Sequence, residues 1–168
     1  MTKAMTTFFH KAGASVLFTG YFPFASGTLG SAVAIGTIWL LHRQLPILFT
    51  PESTPIYWLA MLAGTAISFA LCAKAVENFG DEDPSQIVFD EFVGQWITFF
   101  MIPITWRTLA LGFLLFRFFD VVKPFPVYRM EEIEGGVGIT LDDVFAGVLA
   151  NISLAAVLFL YHAINAWL

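Results

Sequence analysis

The sequence predicts an all-α integral membrane protein, a single-domain bundle of about five transmembrane helices with one interfacial segment. Of its 168 residues, 58% are hydrophobic and only 12% are charged, and the mean hydropathy is +0.76. A soluble domain is roughly half apolar and about a quarter charged. This chain therefore has too few polar residues to cover its surface in water. Its length suits one domain over residues 1–168.

Five apolar stretches approach the roughly 20 residues that a helix needs to cross the hydrocarbon core of a bilayer. They cover residues 28–46, 56–77, 86–106, 107–123 and 142–166. A Gly-rich polar patch at residues 26–31 begins the first stretch, and Pro46 ends it. A polar segment with Gly and Pro at residues 78–84 separates the second from the third, and residues 103–107 make the turn between the third and the fourth. Residues 125–139 mix apolar and charged side chains, which predicts an interfacial helix before the fifth stretch.

If all five stretches cross the membrane, the polar patch and most ionisable residues collect on one side. Seven charged residues near helix ends lie there: Asp90, Glu91, Arg117, Asp120, Lys123, Asp142 and Asp143. The basic residues on or near this side are Lys3, Lys11, Lys74, Arg117, Lys123 and Arg129, against Arg43 and Arg107 on the other. Because Lys and Arg are enriched in cytoplasmic loops, this side is predicted to face the cytoplasm.

These carboxylates indicate a functional site, because an ionisable group within a membrane helix costs about 2.5–3.5 kcal/mol on insertion scales. Carboxylates at this density repel one another unless protons, basic residues or a cation hold them together. Oxygen ligands without clustered His or Cys favour Mg²⁺ or Mn²⁺ over zinc. Arg117, Lys123 and the helix start at residues 26–31 are suited to an anion. Together these features indicate chemistry on a phosphorylated lipid.

Two other functions remain open from the residues alone. The charged residues could cap helices and pair at the interface of a non-enzymatic membrane scaffold. They could also form an ion or proton pathway, although that function favours acids near the bilayer midplane. A nucleic-acid partner is not expected, because the net charge is −5 and the chain has only eight Lys and Arg residues.

Four ordered motifs resemble those of the phosphatidylglycerophosphatase A family. Residues 87–96, IVFDEFVGQW, are similar to its IV-x-DE-x-VG-x-W motif. Residues 116–126, FRFFDVVKPFP, resemble FR-x-FD-x-x-KP-x-P, and residues 135–147, GGVGITLDDVFAG, resemble GG-x-GI-x-x-DD-x-x-AG. Residues 27–31, GTLGS, match GT-x-GS. The resemblance extends from about residue 18 to about residue 150 of the chain.

The resemblance implies a Mg²⁺-dependent phosphatase of the bacterial inner (cytoplasmic) membrane that converts phosphatidylglycerophosphate in the bilayer to phosphatidylglycerol and phosphate. A phosphatase for another membrane lipid phosphate is the nearest alternative. Carried over to this chain, the family's site gives three sets of residues. The expected catalytic residues are Asp90, Asp120, Asp142 and Asp143; the phosphate-binding residues Thr28, Ser31, Arg117 and Lys123; and the metal ligands Asp90, Glu91, Asp142 and Asp143. Direct attack by water and a covalent aspartyl-phosphate both remain open as mechanisms, and the oligomeric state is not predicted.

Overall fold

The structure, a computed structural model, describes residues 3–79 and 84–167. Within these ranges the chain is helical and contains no β-strand. The described residues form seven α-helices: α1 (Lys3–Ala14), α2 (Ser26–Gln44), α3 (Thr54–Phe79), α4 (Phe89–Thr98), α5 (Trp106–Val122), α6 (Val127–Glu131) and α7 (Gly136–Trp167). Short 3₁₀ helices occur at Thr19–Tyr21, Pro46–Phe49 and Pro51–Ser53. The all-α prediction is therefore confirmed for the described residues.

Two helical segments of the described chain are long and apolar enough to cross a membrane. They are Pro51–Glu77, which includes most of α3, and Gly136–Ala166 in α7. The prediction of five spans is not confirmed. The third predicted span, residues 86–106, is the clearest departure, because its helix α4 has only 10 residues, whereas a crossing needs about 20. The fourth, residues 107–123, corresponds to the 17-residue α5.

α4 ends early because side chains from other helices bind its last carbonyl groups. The Asn151 side-chain amide of α7 donates to the carbonyls of Thr98 and Phe100, at 3.0 and 2.8 Å. The hydroxyl of Tyr57 on α3 donates to the Trp96 carbonyl at 2.8 Å. Carbonyls at a helix end lack partners within the helix, and these bonds occupy two carbonyls of α4, those of Trp96 and Thr98, and the Phe100 carbonyl two residues beyond it.

α4 lies at the centre of the bundle because two glycines let it contact α7 backbone to backbone. A Cβ atom added at Gly147 would overlap the Gly94 carbonyl oxygen, and one added at Gly94 would lie 2.7 Å from the Asp143 carbonyl oxygen. Small residues at a helix crossing allow such a close approach. The crossing brings the first turn of α4 beside the acidic residues of α7.

Two short helices lie outside the predicted spans. α1 was not predicted; its last residue, Ala14, packs with Cys72 and Ala75 of α3 and with Ile87. The predicted interfacial segment, residues 125–139, forms α6 and a turn, and its last residues already belong to α7, which begins at Gly136 rather than near residue 142. This earlier start places Asp142 and Asp143 in the second turn of α7.

Candidate active site

The site begins with two pairs of adjacent acids that share one local geometry. Asp90 and Glu91 occupy the first turn of α4, and the Glu91 backbone N–H donates to Asp90 Oδ1 at 3.0 Å. In α7 the Asp143 backbone N–H donates to Asp142 Oδ1 at 2.9 Å. In each pair, the first carboxylate therefore accepts the N–H of the second residue, and the second carboxylate is left for other partners.

Three of these carboxylates form one buried cluster. Oxygen atoms of Asp90, Glu91 and Asp143 all lie within 4.8 Å of one another. Asp90 and Asp143 are each only 4% exposed. Glu91 Oε2 and Asp143 Oδ1 are buried and have no hydrogen-bond partner. A buried carboxylate oxygen without a partner is costly, so this geometry is typical of a divalent cation site.

Asp142 lies beside this cluster but is paired with a lysine. Lys123 Nζ donates to Asp142 Oδ2 at 2.7 Å and to Glu131 Oε1 at 2.8 Å. Burial lowers the pKa of Lys123, but these two hydrogen bonds more than offset that effect and raise the pKa above its ordinary value. The lysine is therefore a fixed positive charge at the edge of the carboxylate cluster.

A cavity of about 660 Å³ opens onto the cluster, and we call it the acidic cavity. Its charged lining residues are Asp90, Glu91, Asp120, Lys123, Glu131, Glu132, Glu134, Asp142 and Asp143. Eight of these nine are acidic. An anionic substrate would be repelled by such a lining unless a bound cation changed the balance of charge.

A second cavity of about 510 Å³ lies beside the acidic cavity. Both cavities are lined by Ser26, Ser85, Glu91 and Asp120. The second one also contains Arg117, which forms an ion pair with Asp120. Gly27 makes room for this arrangement, because a Cβ atom there would overlap Glu91 Oε1 and lie 3.1 Å from Arg117 Nη1.

The structure brings together most of the predicted site residues, but not all. Thr28 and Ser31 line neither cavity, and Ser31 is fully buried with an unpaired hydroxyl. The sequence reasoning missed Glu131, which shares Lys123 with Asp142, and Ser85, whose carbonyl accepts from the Ser26 hydroxyl at 2.8 Å. No local signal in the sequence pairs residues so far apart.

The described residues define an all-helical protein whose carboxylate cluster can hold a divalent cation, and the basic residues Lys123 and Arg117 line the adjoining cavities. The profile of the phosphatidylglycerophosphatase A family matches residues 12–158. The chain belongs to this family, which identifies it as a phosphatase.

Three curated relatives are similar to the chain. Phosphatidylglycerophosphatase A of Escherichia coli K12 is 37% identical over 134 residues, which cover 79% of the chain and 73% of the relative. The Bacteroides thetaiotaomicron protein named "Putative phosphatidylinositol-3-phosphatase" is 40% identical over 82% of the chain and 86% of its own length. Phosphatidylglycerophosphatase A of Haemophilus influenzae is 43% identical over 55% of the chain and 61% of its own length. No solved structure matches the chain significantly.

Proposed function

We propose that the protein is a Mg²⁺-dependent lipid phosphatase that hydrolyses phosphatidylglycerophosphate to phosphatidylglycerol and phosphate. The observation that carries this proposal is the cluster of Asp90, Glu91 and Asp143, within 4.8 Å of one another on the wall of a cavity that also contains Lys123. Family membership supports the substrate. The two apolar helical segments support a location in the membrane, where this lipid resides.

The residues of the cluster fit Mg²⁺. They offer only oxygen ligands, and Glu91 Oε2 and Asp143 Oδ1 are buried and unpaired. Mg²⁺ binds through a few carboxylates and keeps sites for water and phosphate oxygens. When bound, the ion would supply positive charge to the phosphate and acidify a water molecule. We assign the metal ligands to Asp90, Glu91 and Asp143; Asp142 is instead engaged by Lys123.

The remaining charged residues have separate roles in this proposal. Lys123 and Arg117 contact the phosphate oxygens, since both line a cavity and Thr28 and Ser31 line neither. Asp142 and Glu131 position Lys123. Asp120, which lines both cavities, accepts the proton of the attacking water and returns one to the leaving glycerol oxygen.

In the proposed reaction, the oxygen of water forms a bond to phosphorus as the bond from phosphorus to the glycerol oxygen breaks. The stereochemical course at phosphorus, followed with a substrate whose phosphate is made chiral by oxygen isotopes, tests this assignment. Inversion is expected, because water displaces the glycerol oxygen in a single step. Retention would instead indicate two displacements through a covalent aspartyl-phosphate.

The proposed location is the bacterial cytoplasmic membrane, with the acidic cavity facing the cytoplasm. The excess of Lys and Arg on that side of the chain supports this orientation. Labelling of a cysteine introduced at the exposed residue Glu132, in inverted and right-side-out vesicles, tests it. A membrane-impermeant reagent is expected to react only in inverted vesicles.

Phosphatidylinositol 3-phosphate is a second candidate substrate. The relative from B. thetaiotaomicron carries that activity in its name and is similar over 82% of this chain. Both lipids present a phosphomonoester on a polar headgroup, and the carboxylate cluster contacts only that end of either one.

Phosphate release by the purified chain in mixed micelles decides between these substrates. The panel contains phosphatidylglycerophosphate, phosphatidylinositol 3-phosphate and phosphatidic acid, each with Mg²⁺ or EDTA, and Asp90→Asn is the control variant. Mg²⁺-dependent release that favours phosphatidylglycerophosphate and is lost in Asp90→Asn is expected. Preference for the inositol lipid would identify phosphatidylinositol 3-phosphate as the substrate instead. No release from any lipid would contradict the proposed function.

A further inference from the structure

The second cavity has an apolar, aromatic mouth on the outer surface of the bundle. Tyr21, Phe22 and Val121 line it and are 46%, 53% and 69% exposed. Tyr21 and Phe22 come from the loop between α1 and α2, and Val121 from the last turn of α5. Aromatic side chains are enriched where a protein meets the membrane–water interface. The mouth therefore has the composition of a surface that contacts lipid.

The inner end of the same cavity is polar and shares lining residues with the acidic cavity. Arg117 and Asp120 form an ion pair there, and Glu91 lines both cavities. A molecule in the second cavity would thus have an apolar environment at one end and the carboxylate cluster at the other. A phospholipid with a terminal phosphate is likewise apolar at one end and polar at the other.

The backbone on both sides of the aromatic loop is held in an unusual conformation. Val16, Leu17 and Phe18 have φ angles of 44°, 55° and 69°, and Ala25 has a φ angle of 52°. Residues other than glycine rarely adopt this left-handed region, least of all a β-branched valine. Such strain is found at ligand-binding sites, where the surrounding structure maintains it. Here these left-handed residues flank the loop that carries Tyr21 and Phe22, which line the second cavity.

We propose that the second cavity is the lipid port of the enzyme, through which the substrate enters sideways from the bilayer. The phosphate reaches the carboxylate cluster past Arg117, while the glycerol ester region and the first methylenes of the acyl chains stay between Phe22 and Val121. The ligand is a glycerophospholipid with a terminal phosphomonoester. This inference rests on the proposed function and adds the site for the non-reacting part of the substrate.

The chain offers a matched control for each side of the mouth. Phe24 is 77% exposed and lies two residues from Phe22, but it does not line the cavity. Leu114 is 62% exposed and lies two helical turns before Val121 on the same face of α5, away from the cavity. If the substitutions acted only by weakening apolar contact with the membrane, changes at Phe24 and Leu114 would have the same effect as changes at Phe22 and Val121.

The experiment measures kcat and KM for phosphatidylglycerophosphate in mixed micelles with the full-length variants Phe22→Ser, Phe24→Ser, Val121→Ser and Leu114→Ser. Loss of one apolar contact to the lipid is expected to raise the KM of Phe22→Ser and Val121→Ser about tenfold, with kcat changed less than about twofold. Phe24→Ser and Leu114→Ser are expected to match the unmodified chain.

A chainless analogue, the deacylated headgroup with its terminal phosphate, serves as the second substrate. A rise in its KM equal to the rise for the lipid would overturn the port, because the analogue lacks the acyl esters and methylenes that are proposed to lie between Phe22 and Val121. Equal effects of Phe22→Ser and Phe24→Ser, or no effect of either, would also overturn it. No release by the unmodified chain would overturn the proposed function itself, and this inference with it.

Discussion

Gly147 of α7 lies directly against the carbonyl oxygen of Gly94 in α4, so closely that a Cβ atom at residue 147 would overlap that oxygen. The same crossing places Asp143, one turn before Gly147, beside Asp90 and Glu91. The carboxylate cluster therefore depends on backbone contact between two helices. Side-chain packing alone would hold the helices farther apart.

Gly147→Ala is expected to force α7 away from α4. The overlap should destabilise the fold by about 1–3 kcal/mol, as in other overpacked sites, and weaken activity because Asp143 moves from the cluster. Thermal unfolding and phosphate release measure the two effects. Gly36→Ala is the control, since a Cβ atom there meets open space; it should stabilise α2 by up to about 1 kcal/mol. Equal stability of both variants would contradict the close crossing.

Asp143→Asn is expected to abolish phosphate release and yet stabilise the protein in EDTA. Without a cation, the Asp143 carboxylate is buried among like charges with one oxygen unpaired. Its neutralisation should raise stability by about 1 kcal/mol, or roughly 2–4 °C in Tm. Glu77→Gln is the control, because Glu77 is exposed and forms an exposed ion pair with Lys74. A Tm in EDTA lower than that of the unmodified chain would argue against a cluster of repelling carboxylates.

Lys123→Met is expected to lower both stability and activity. It removes the partner of Asp142, which is only 8% exposed, and of Glu131. An unpaired buried charge costs up to about 3–5 kcal/mol, and the partial exposure of this pair places the effect below that limit. Lys74→Met, which removes an exposed ion pair, should cost no more than about 1 kcal/mol. If the two variants lose equal stability, the Lys123 pairs are surface interactions.

Asn151→Ala is expected to destabilise the end of α4, because the carbonyls of Thr98 and Phe100 lose their donor. Two unsatisfied carbonyls inside the bundle should cost about 2–4 kcal/mol. Asn165→Ala is the control, since Asn165 donates to an exposed carbonyl on its own helix. Thermal unfolding is the measurement. A loss no larger than that of the control would show that α4 ends without help from α7.

The sequence predicted the helices whose length and hydropathy are properties of one continuous stretch. α3 and α7 are such helices, and both coincide with predicted spans. The length of α4 was mispredicted because its end depends on Asn151 and Tyr57, which are far away in the sequence. α1 was missed because His10 and Lys11 interrupt its apolar residues, so that it did not resemble a membrane span.

The sequence also indicated some of the residues that meet at the candidate site, but not the partners of each. Adjacent acids near helix ends identified Asp90, Glu91, Asp142 and Asp143, which the structure places together. The partner of each acid could not be predicted from the sequence, because a pair such as Lys123–Asp142 joins residues 19 positions apart. The position of Ser31 depends on the rotation of α2 about its axis. Local sequence did not determine that rotation, and the structure buries Ser31 away from both cavities.

A Mg²⁺ titration of phosphate release from phosphatidylglycerophosphate, with the unmodified chain and Asp143→Glu, tests the central claim most directly. Asp143→Glu keeps the charge but moves the carboxylate, so a metal ligand at this position predicts that half-maximal release needs at least about tenfold more Mg²⁺. The unmodified chain should release no phosphate in EDTA. Full release in EDTA, or the same Mg²⁺ requirement for both proteins, would contradict a cation held by Asp90, Glu91 and Asp143.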